Sequence, residues 1–278
     1  MSSAAPFSGL VEFRPTFSPR PQISHVVFDF DGTISWLRHG WPTVLLQLFQ
    51  EYLPGRTGDS DPAFSELLAD GILALNGKAS IYQMIHGAAR LRERGARTPA
   101  PEELLAEYQR RFDRVIQQRS EQILTGKARR DDFVVYGARD LLEQVAKRGL
   151  TLIILSGTVE HRVKQEAELL DLARYFGAHI YGGTADLAQS SKEAVINRLL
   201  RDERIRGDQL LSFGDGPVEI QVTKEVGGLA VAVASDEEQN GSGRMHPQKH
   251  KMLAAAGADV SIPDYRDAAH LLNCIFGT

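Results

Sequence analysis

Short apolar runs rich in β-branched residues recur along this chain, with helical patterns between the later ones. The runs are HVVFDF (25–30), LTLIIL (150–155), AHIYG (178–182), LLSFG (210–214), LAVAVA (229–234) and DVSI (259–262). Helical periodicity fills 138–147, 159–170 and 193–200 between them. Strand, helix and strand in succession predict a parallel sheet with helices on both faces, an α/β fold. The first interval breaks that rhythm. From roughly Ser35 to Arg130 the pattern is helical throughout, clearest near Pro101, where Leu104, Leu105, Tyr108, Phe112 and Val115 recur at helical spacing. A helical domain inserted after the first strand of an α/β core is the expected organisation, and 278 residues leave room for both.

Composition excludes several classes of function. With 42% hydrophobic and 24% charged residues, a soluble globular protein with a sizeable core is expected. A net charge of -4 makes no general case for a nucleic-acid partner. No apolar run approaches the roughly 18 residues that span a bilayer, so no membrane partner is expected. The opening MSSAAPFSGLVEFRPTFSPRPQ lacks the compact apolar core of a secretion signal and reads as an extended arm, surface-lying or partly disordered. The single Cys274 leaves no internal disulfide and fits a reducing, cytoplasmic setting.

The stretch VVFDFDGTIS (26–35) ends an apolar strand with Asp29 and Asp31. On a strand, positions i and i+2 share a face, so the two carboxylates point the same way and repel unless a cation or a shared proton balances them. Ligands of an open parallel sheet bind at the carboxyl ends of its strands. The other ends are therefore informative. LSGT places Ser156, Gly157 and Thr158 there, SSKE starts a helix with Lys192, and FGDGPVE supplies Asp215 and Glu219. Hard oxygen ligands of this kind suit magnesium, and a hydroxyl, amides and a lysine suit phosphoryl oxygens. Singly, each has a plainer reading: an Asp pair capping a turn, Ser156 and Gly157 as turn residues, Lys192 as a solvated helix residue. Together, at successive strand ends, they read as one site.

In order, these segments resemble the four motifs of the haloacid dehalogenase superfamily, whose members are mostly magnesium-dependent phosphatases. DFDGT matches the first, LSGT the second, the lysine of SSKE the third and GDGPVE the fourth. The resemblance implies a Rossmann-like, doubly wound parallel sheet core with an inserted all-helical type-1 cap. The divisions are then an N-terminal arm (1–22), a core (23–35 and 131–278) and a cap (36–130). It also implies roles. Asp29 is the expected nucleophile, forming an aspartyl-phosphate, and Asp31 the general acid and base. Mg2+ is expected on Asp29, the backbone carbonyl of Asp31 and Asp215. Glu219 stands where the family more often has Asp, and it either meets the metal directly or acts through water. Ser156, Gly157 and Thr158 are expected to grip phosphoryl oxygens, with Lys192 compensating charge and restraining Asp29. An acid at position 31 points to phosphatases and phosphomutases rather than to the dehalogenases proper or the ion-pumping ATPases.

After the first motif, SWLRHGW (35–41) leads into the inserted helices. Arg38 and His39 are candidate substrate contacts; alternatively Trp36 and Trp41 pack the hinge and Arg38 is exposed. His246 and His250, four apart in GRMHPQKHK, read as a surface helix start at Pro247 rather than a zinc site. The loop 235–244 reads as a flexible connection near the rim. The expected activity is magnesium-dependent hydrolysis of a small phosphorylated metabolite, with a sugar or polyol phosphate preferred. A phosphomutase and a non-catalytic phospho-ligand-binding module are the alternatives.

Overall fold

The computed structural model describes residues 11–53, 62–75, 78–184, 186, 188–236 and 238–278. In chain order come β1 (Glu12–Phe13) and β2 (His25–Phe28), then α1 (Trp41–Gln50), α2 (Pro62–Leu73), α3 (Ile81–Glu93) and α4 (Pro101–Leu124). Next are α5 (Ala138–Lys147), β3 (Thr151–Val159), α6 (Glu160–Leu169), β4 (Ile180–Gly183), α7 (Lys192–Asp202) and β5 (Leu210–Gly214). The chain ends with α8 (Pro217–Glu225), β6 (Leu229–Val233), α9 (Pro247–Ala255), β7 (Val260–Ile262) and α10 (Ala268–Phe276). All six expected strands form. They build a seven-stranded sheet in the order β1-β7-β6-β5-β2-β3-β4, parallel except for β1. From β2 the chain winds outward through β3 and β4, then returns to β5 on the other side. The order therefore reverses beside β2, where a crevice is expected.

The seventh strand comes from the N-terminal segment. Glu12–Phe13 pairs antiparallel with β7, and Phe13 and Phe17 pack against the main core. Two residues are too few to show a strand period, so only tertiary pairing reveals them. The first ten residues of the arm lie outside the described ones.

Period-two alternation divides the apolar side chains between the two faces of the sheet. Val26 and Phe28 join Leu211 and Phe213 in one cluster with Leu141 and Leu142 of α5 and Leu271 and Leu272 of α10. Val27, Ile153 and Leu210 join Val195 and Ile196 of α7 and Val222 of α8 in another. Both faces are covered, which is why the strands read as nearly continuous apolar runs. Each such side chain stabilises the fold by roughly 1.5–3 kcal/mol on burial.

Helices α1 to α4 enclose an apolar cluster of their own, including Leu45, Phe49, Leu68, Met84, Leu104 and Phe112. α4 starts at Pro101, whose fixed φ suits a first turn, and Glu103 accepts a hydrogen bond from the Ala100 N–H at 3.1 Å. Leu104, Tyr108 and Phe112 form its buried stripe, with Leu105 and Val115 partly buried beside it. The chain leaves the core and returns through two segments stitched side by side. The Trp36 N–H donates to the Phe133 carbonyl at 2.8 Å, and the Val135 N–H donates to the Ile34 carbonyl at 3.1 Å. This double crossing places the helices over the carboxyl end of β2.

Candidate active site

Asp29 follows β2 directly, and its N–H still donates to the Phe213 carbonyl at 2.9 Å, so the sheet ladder holds the residue. Its Oδ1 accepts from the Phe30 N–H at 2.8 Å, and its Oδ2 lies 3.0 Å from Lys192 Nζ. Lys192 arrives on the first turn of α7, where Ser191 Oγ caps the helix by accepting from the Ala194 N–H at 3.2 Å. The buried ammonium also donates to Glu219 Oε2 at 2.9 Å. Glu219 sits three residues past the N-cap of α8, and its Oε1 accepts from the Gly216 N–H at 2.7 Å. One carboxylate thus closes the helix start and reaches the lysine. Asp29, Asp215 and Glu219 are all buried and offer oxygens within 4.8 Å of one another.

Asp215 follows β5 and brings in a residue the sequence reading passed over. Its Oδ1 accepts from Thr33 Oγ1 at 3.4 Å and its Oδ2 from Lys249 Nζ at 2.9 Å. Lys249 is 1% exposed on α9. It stands between the two conspicuous histidines of GRMHPQKHK, where a lysine looks like an ordinary surface residue. His246 caps α9, its Nδ1 accepting from the Lys249 N–H at 3.4 Å, and His250 Nε2 lies 2.9 Å from Glu12 Oε2. Gly32 has a φ of +74°, and a Cβ there would lie 2.3 Å from Asp215 Oδ2, so the first motif needs glycine at this point.

Asp31 Oδ2 accepts from Thr158 Oγ1 at 2.7 Å, while the Thr158 N–H donates to the buried Ser156 Oγ at 3.1 Å. The Thr158 hydroxyl is thereby committed to Asp31. Arg38 Nε lies 3.6 Å from Asp31 Oδ1. The same guanidinium grips Glu166 of α6 with both arms, Nε to Oε2 at 2.9 Å and Nη2 to Oε1. Arg38 is therefore not the exposed residue of the plainer reading. Glu166 was missed because in EHRVKQEAEL an acid looks solvated, yet it is 6% exposed. His39 is not among the cavity-lining residues. Its Nδ1 pairs with the Trp36 carbonyl at 2.8 Å, its ring stacks on Trp36, and Arg119 donates to its Nε2 at 3.1 Å. Trp36 belongs to the core cluster, whereas Trp41 faces the cavity. The loop after β6 is tied down at its start and its middle: Ser235 donates to the Gly32 carbonyl at 3.2 Å and Asn240 to that of Val134 at 2.8 Å.

Burial pushes the Asp29 carboxyl well above the usual range; Lys192 pulls it down, and Glu219, Asp215 and Asp31 push it up again. Burial likewise raises Asp31 to about 6, against the opposing pull of Arg38 and of the Thr158 hydrogen bond. Burial works against the Lys192 charge, but Asp29 and Glu219 outweigh it and raise that pKa. A buried cluster that strains to take up protons is one that a cation relieves. Its donors are all carboxylate oxygens, which fits a hard divalent ion such as magnesium.

A cavity of about 470 Å³ lies between the strand ends and the inserted helices. Asp29, Asp31 and Ser156 line its core side, and Trp41, Tyr108 and Phe112 line its helical side. A family model described as haloacid dehalogenase-like hydrolase matches residues 23–227, and the chain belongs to that family. Solved structures agree on the fold. A predicted phosphoglycolate phosphatase from Haemophilus somnus is similar at TM-score 0.59 and 16% identity, over 90% of this chain and 98% of that one. A predicted phosphatase from Clostridium acetobutylicum is similar at TM-score 0.59 and 18% identity, over 90% and 99%. A haloacid dehalogenase-like protein of unknown function from Agrobacterium tumefaciens is similar at TM-score 0.62 and 16% identity, over 90% and 97%. No curated protein matches the chain. Among the described residues no helix is long and apolar enough to cross a membrane.

Proposed function

We propose that the protein is a magnesium-dependent phosphoric monoester hydrolase acting on a small phosphorylated metabolite, with a sugar or polyol phosphate preferred. One observation carries this reading: Asp29, paired with Lys192, and Asp31, paired with Thr158, stand on the same cavity wall. In this proposal residues 36–130 act as the cap, 23–35 and 131–278 as the catalytic core, and 1–22 as an arm. A lidded cavity favours small substrates over macromolecules. The lone Cys274 suits a cytoplasmic setting.

The chemistry follows from the two acids. An Asp29 oxygen attacks phosphorus in line, the bond from phosphorus to the leaving oxygen breaks, and an aspartyl-phosphate forms. Asp31, a carboxyl raised to about 6, gives its proton to the departing oxygen. It then takes a proton from water as that water attacks phosphorus and frees Asp29, releasing orthophosphate. Ser156 and the amide of Gly157 hold phosphoryl oxygens, and Thr158 holds Asp31 in place. Lys192 restrains Asp29. Asp29, Asp215 and the Asp31 backbone carbonyl, supported by Glu219, would hold the magnesium ion, which when bound neutralises charge between nucleophile and phosphoryl group.

The test is orthophosphate release from a panel of phosphorylated metabolites in magnesium buffer, run beside Asp29→Asn. Release by the wild type and none by the variant is expected. Equal release by both would overturn the nucleophile, and isomerised sugar phosphate without orthophosphate would make the protein a mutase.

A further inference from the structure

Among the described residues lining the cavity, three carry a cation: Arg38, Arg162 and Lys78. Two of them are already engaged. Arg38 holds both oxygens of Glu166 and lies 3.6 Å from Asp31, with its side chain 12% exposed. Arg162 of α6 holds both oxygens of Asp113 of α4, with Nη2 to Oδ2 at 3.0 Å, and so joins core to inserted helices across the cavity. Lys78 is exposed, and the exposed acid Glu102 lines the cavity too. The remaining lining on the helical side includes Trp41, Leu105, Tyr108 and Phe112.

A second anionic group reaching the buried wall beside Asp31 meets Arg38 there and would have to take it away from Glu166, whereas exposed Lys78 offers only a solvent-screened attraction. That exchange leaves a buried carboxylate unpaired next to Asp31, an arrangement that strongly disfavours binding. An uncharged group meets no such conflict. Its carbon faces, whether of a sugar ring or an aryl group, pack on Trp41, Tyr108 and Phe112.

We propose that the leaving group of the substrate is uncharged, and that Glu166, by occupying Arg38, is the specificity-determining residue that rejects substrates with a second carboxylate or phosphate. This rests on the phosphatase reading above. Glu166 acts through Arg38 and touches no reacting atom, so it is a positioning residue.

The experiment compares kcat/KM for orthophosphate release from three monoesters of primary alcohols: benzyl phosphate, glucose 6-phosphate and 2-phosphoglycolate. For the wild type, the better of the two esters with an uncharged leaving group should exceed 2-phosphoglycolate by at least about 10-fold, the effect of one charged hydrogen bond. Glu166→Gln removes the competing charge, so the ratio should move towards 2-phosphoglycolate by about 10-fold, mainly through KM. General structural damage would lower all three rates and leave the ratio unchanged. A wild type that prefers 2-phosphoglycolate overturns the proposal, as does an unchanged ratio in folded Glu166→Gln. Should Glu166→Gln not fold, the wild-type ranking decides. No release from any ester would instead overturn the phosphatase reading.

Discussion

Lys249 and Lys192 are two buried ammoniums set among three acids, and they do different work. Lys192 bridges Asp29 and Glu219, whereas Lys249 ties Asp215 to the region behind the first motif, with Ser235 Oγ at 3.4 Å. Removing either takes a charged partner from a buried carboxylate, which costs about 3–5 kcal/mol. Lys249→Met should therefore lower the chemical unfolding free energy by that amount in magnesium-free buffer. A loss under about 1 kcal/mol would return Lys249 to the bystanders. Asp31→Asn tests a different link. It keeps the nucleophile but removes a proton donor, and general acid catalysis is worth about 10²–10⁴-fold. With 4-nitrophenyl phosphate, whose leaving group departs unprotonated, the loss should be much smaller than with an alkyl phosphate. Equal losses on both would remove Asp31 from proton transfer.

At the scale of elements, helix starts do much of the positioning. α7 presents Lys192 and α8 presents Glu219, each from its first turn beneath a capping bond. Glu219→Gln keeps an acceptor for the Gly216 N–H yet removes a charge from the carboxylate cluster. Magnesium affinity by calorimetry should fall about 10- to 100-fold with helix content unchanged, as for other outer ligands of metal sites. An unchanged affinity would leave Glu219 as a cap only. In the inserted helices, α3 rests on α1 through Gly87, where a Cβ would lie 2.3 Å from Phe49 Cζ. Alanine is the better helix former by about 1 kcal/mol, but overpacking costs about 1–3 kcal/mol. Gly87→Ala should therefore lower the melting temperature, and a rise would mean that the Phe49 ring moves aside without strain.

At the scale of the whole molecule, a site that gathers carboxylates ties folding to metal. If magnesium binds the folded state alone, at 100 times its Kd it should add about 2.7 kcal/mol to stability. Titration should thus raise the melting temperature of the wild type, and Asp215→Asn should abolish that rise. EDTA should abolish turnover and magnesium restore it, with calcium a poor substitute because it tolerates looser coordination. Full activity in excess chelator would overturn the metal assignment.

Much of this architecture was legible beforehand, because it rests on short-range rules. Short apolar runs rich in β-branched residues marked six strands, and the lack of such runs between Ser35 and Arg130 marked the inserted helices. Strand ends pointed to Asp29, Asp31, Ser156, Lys192 and Asp215, since a parallel sheet sends its carboxyl ends to one edge. What local pattern does not carry is which charged side chains become buried, because burial depends on what packs above them. Lys249 and Glu166 lie on helices whose sequences look solvated, and only docking against the strand ends makes them partners of Asp215 and Arg38. Likewise β1 exists only because the edge of β7 is there to receive it. Chain order and apolar patterning determined the fold and where the motif residues meet, whereas the charge around the cavity was decided by tertiary packing, since electrostatic pairing acts through space rather than along the chain.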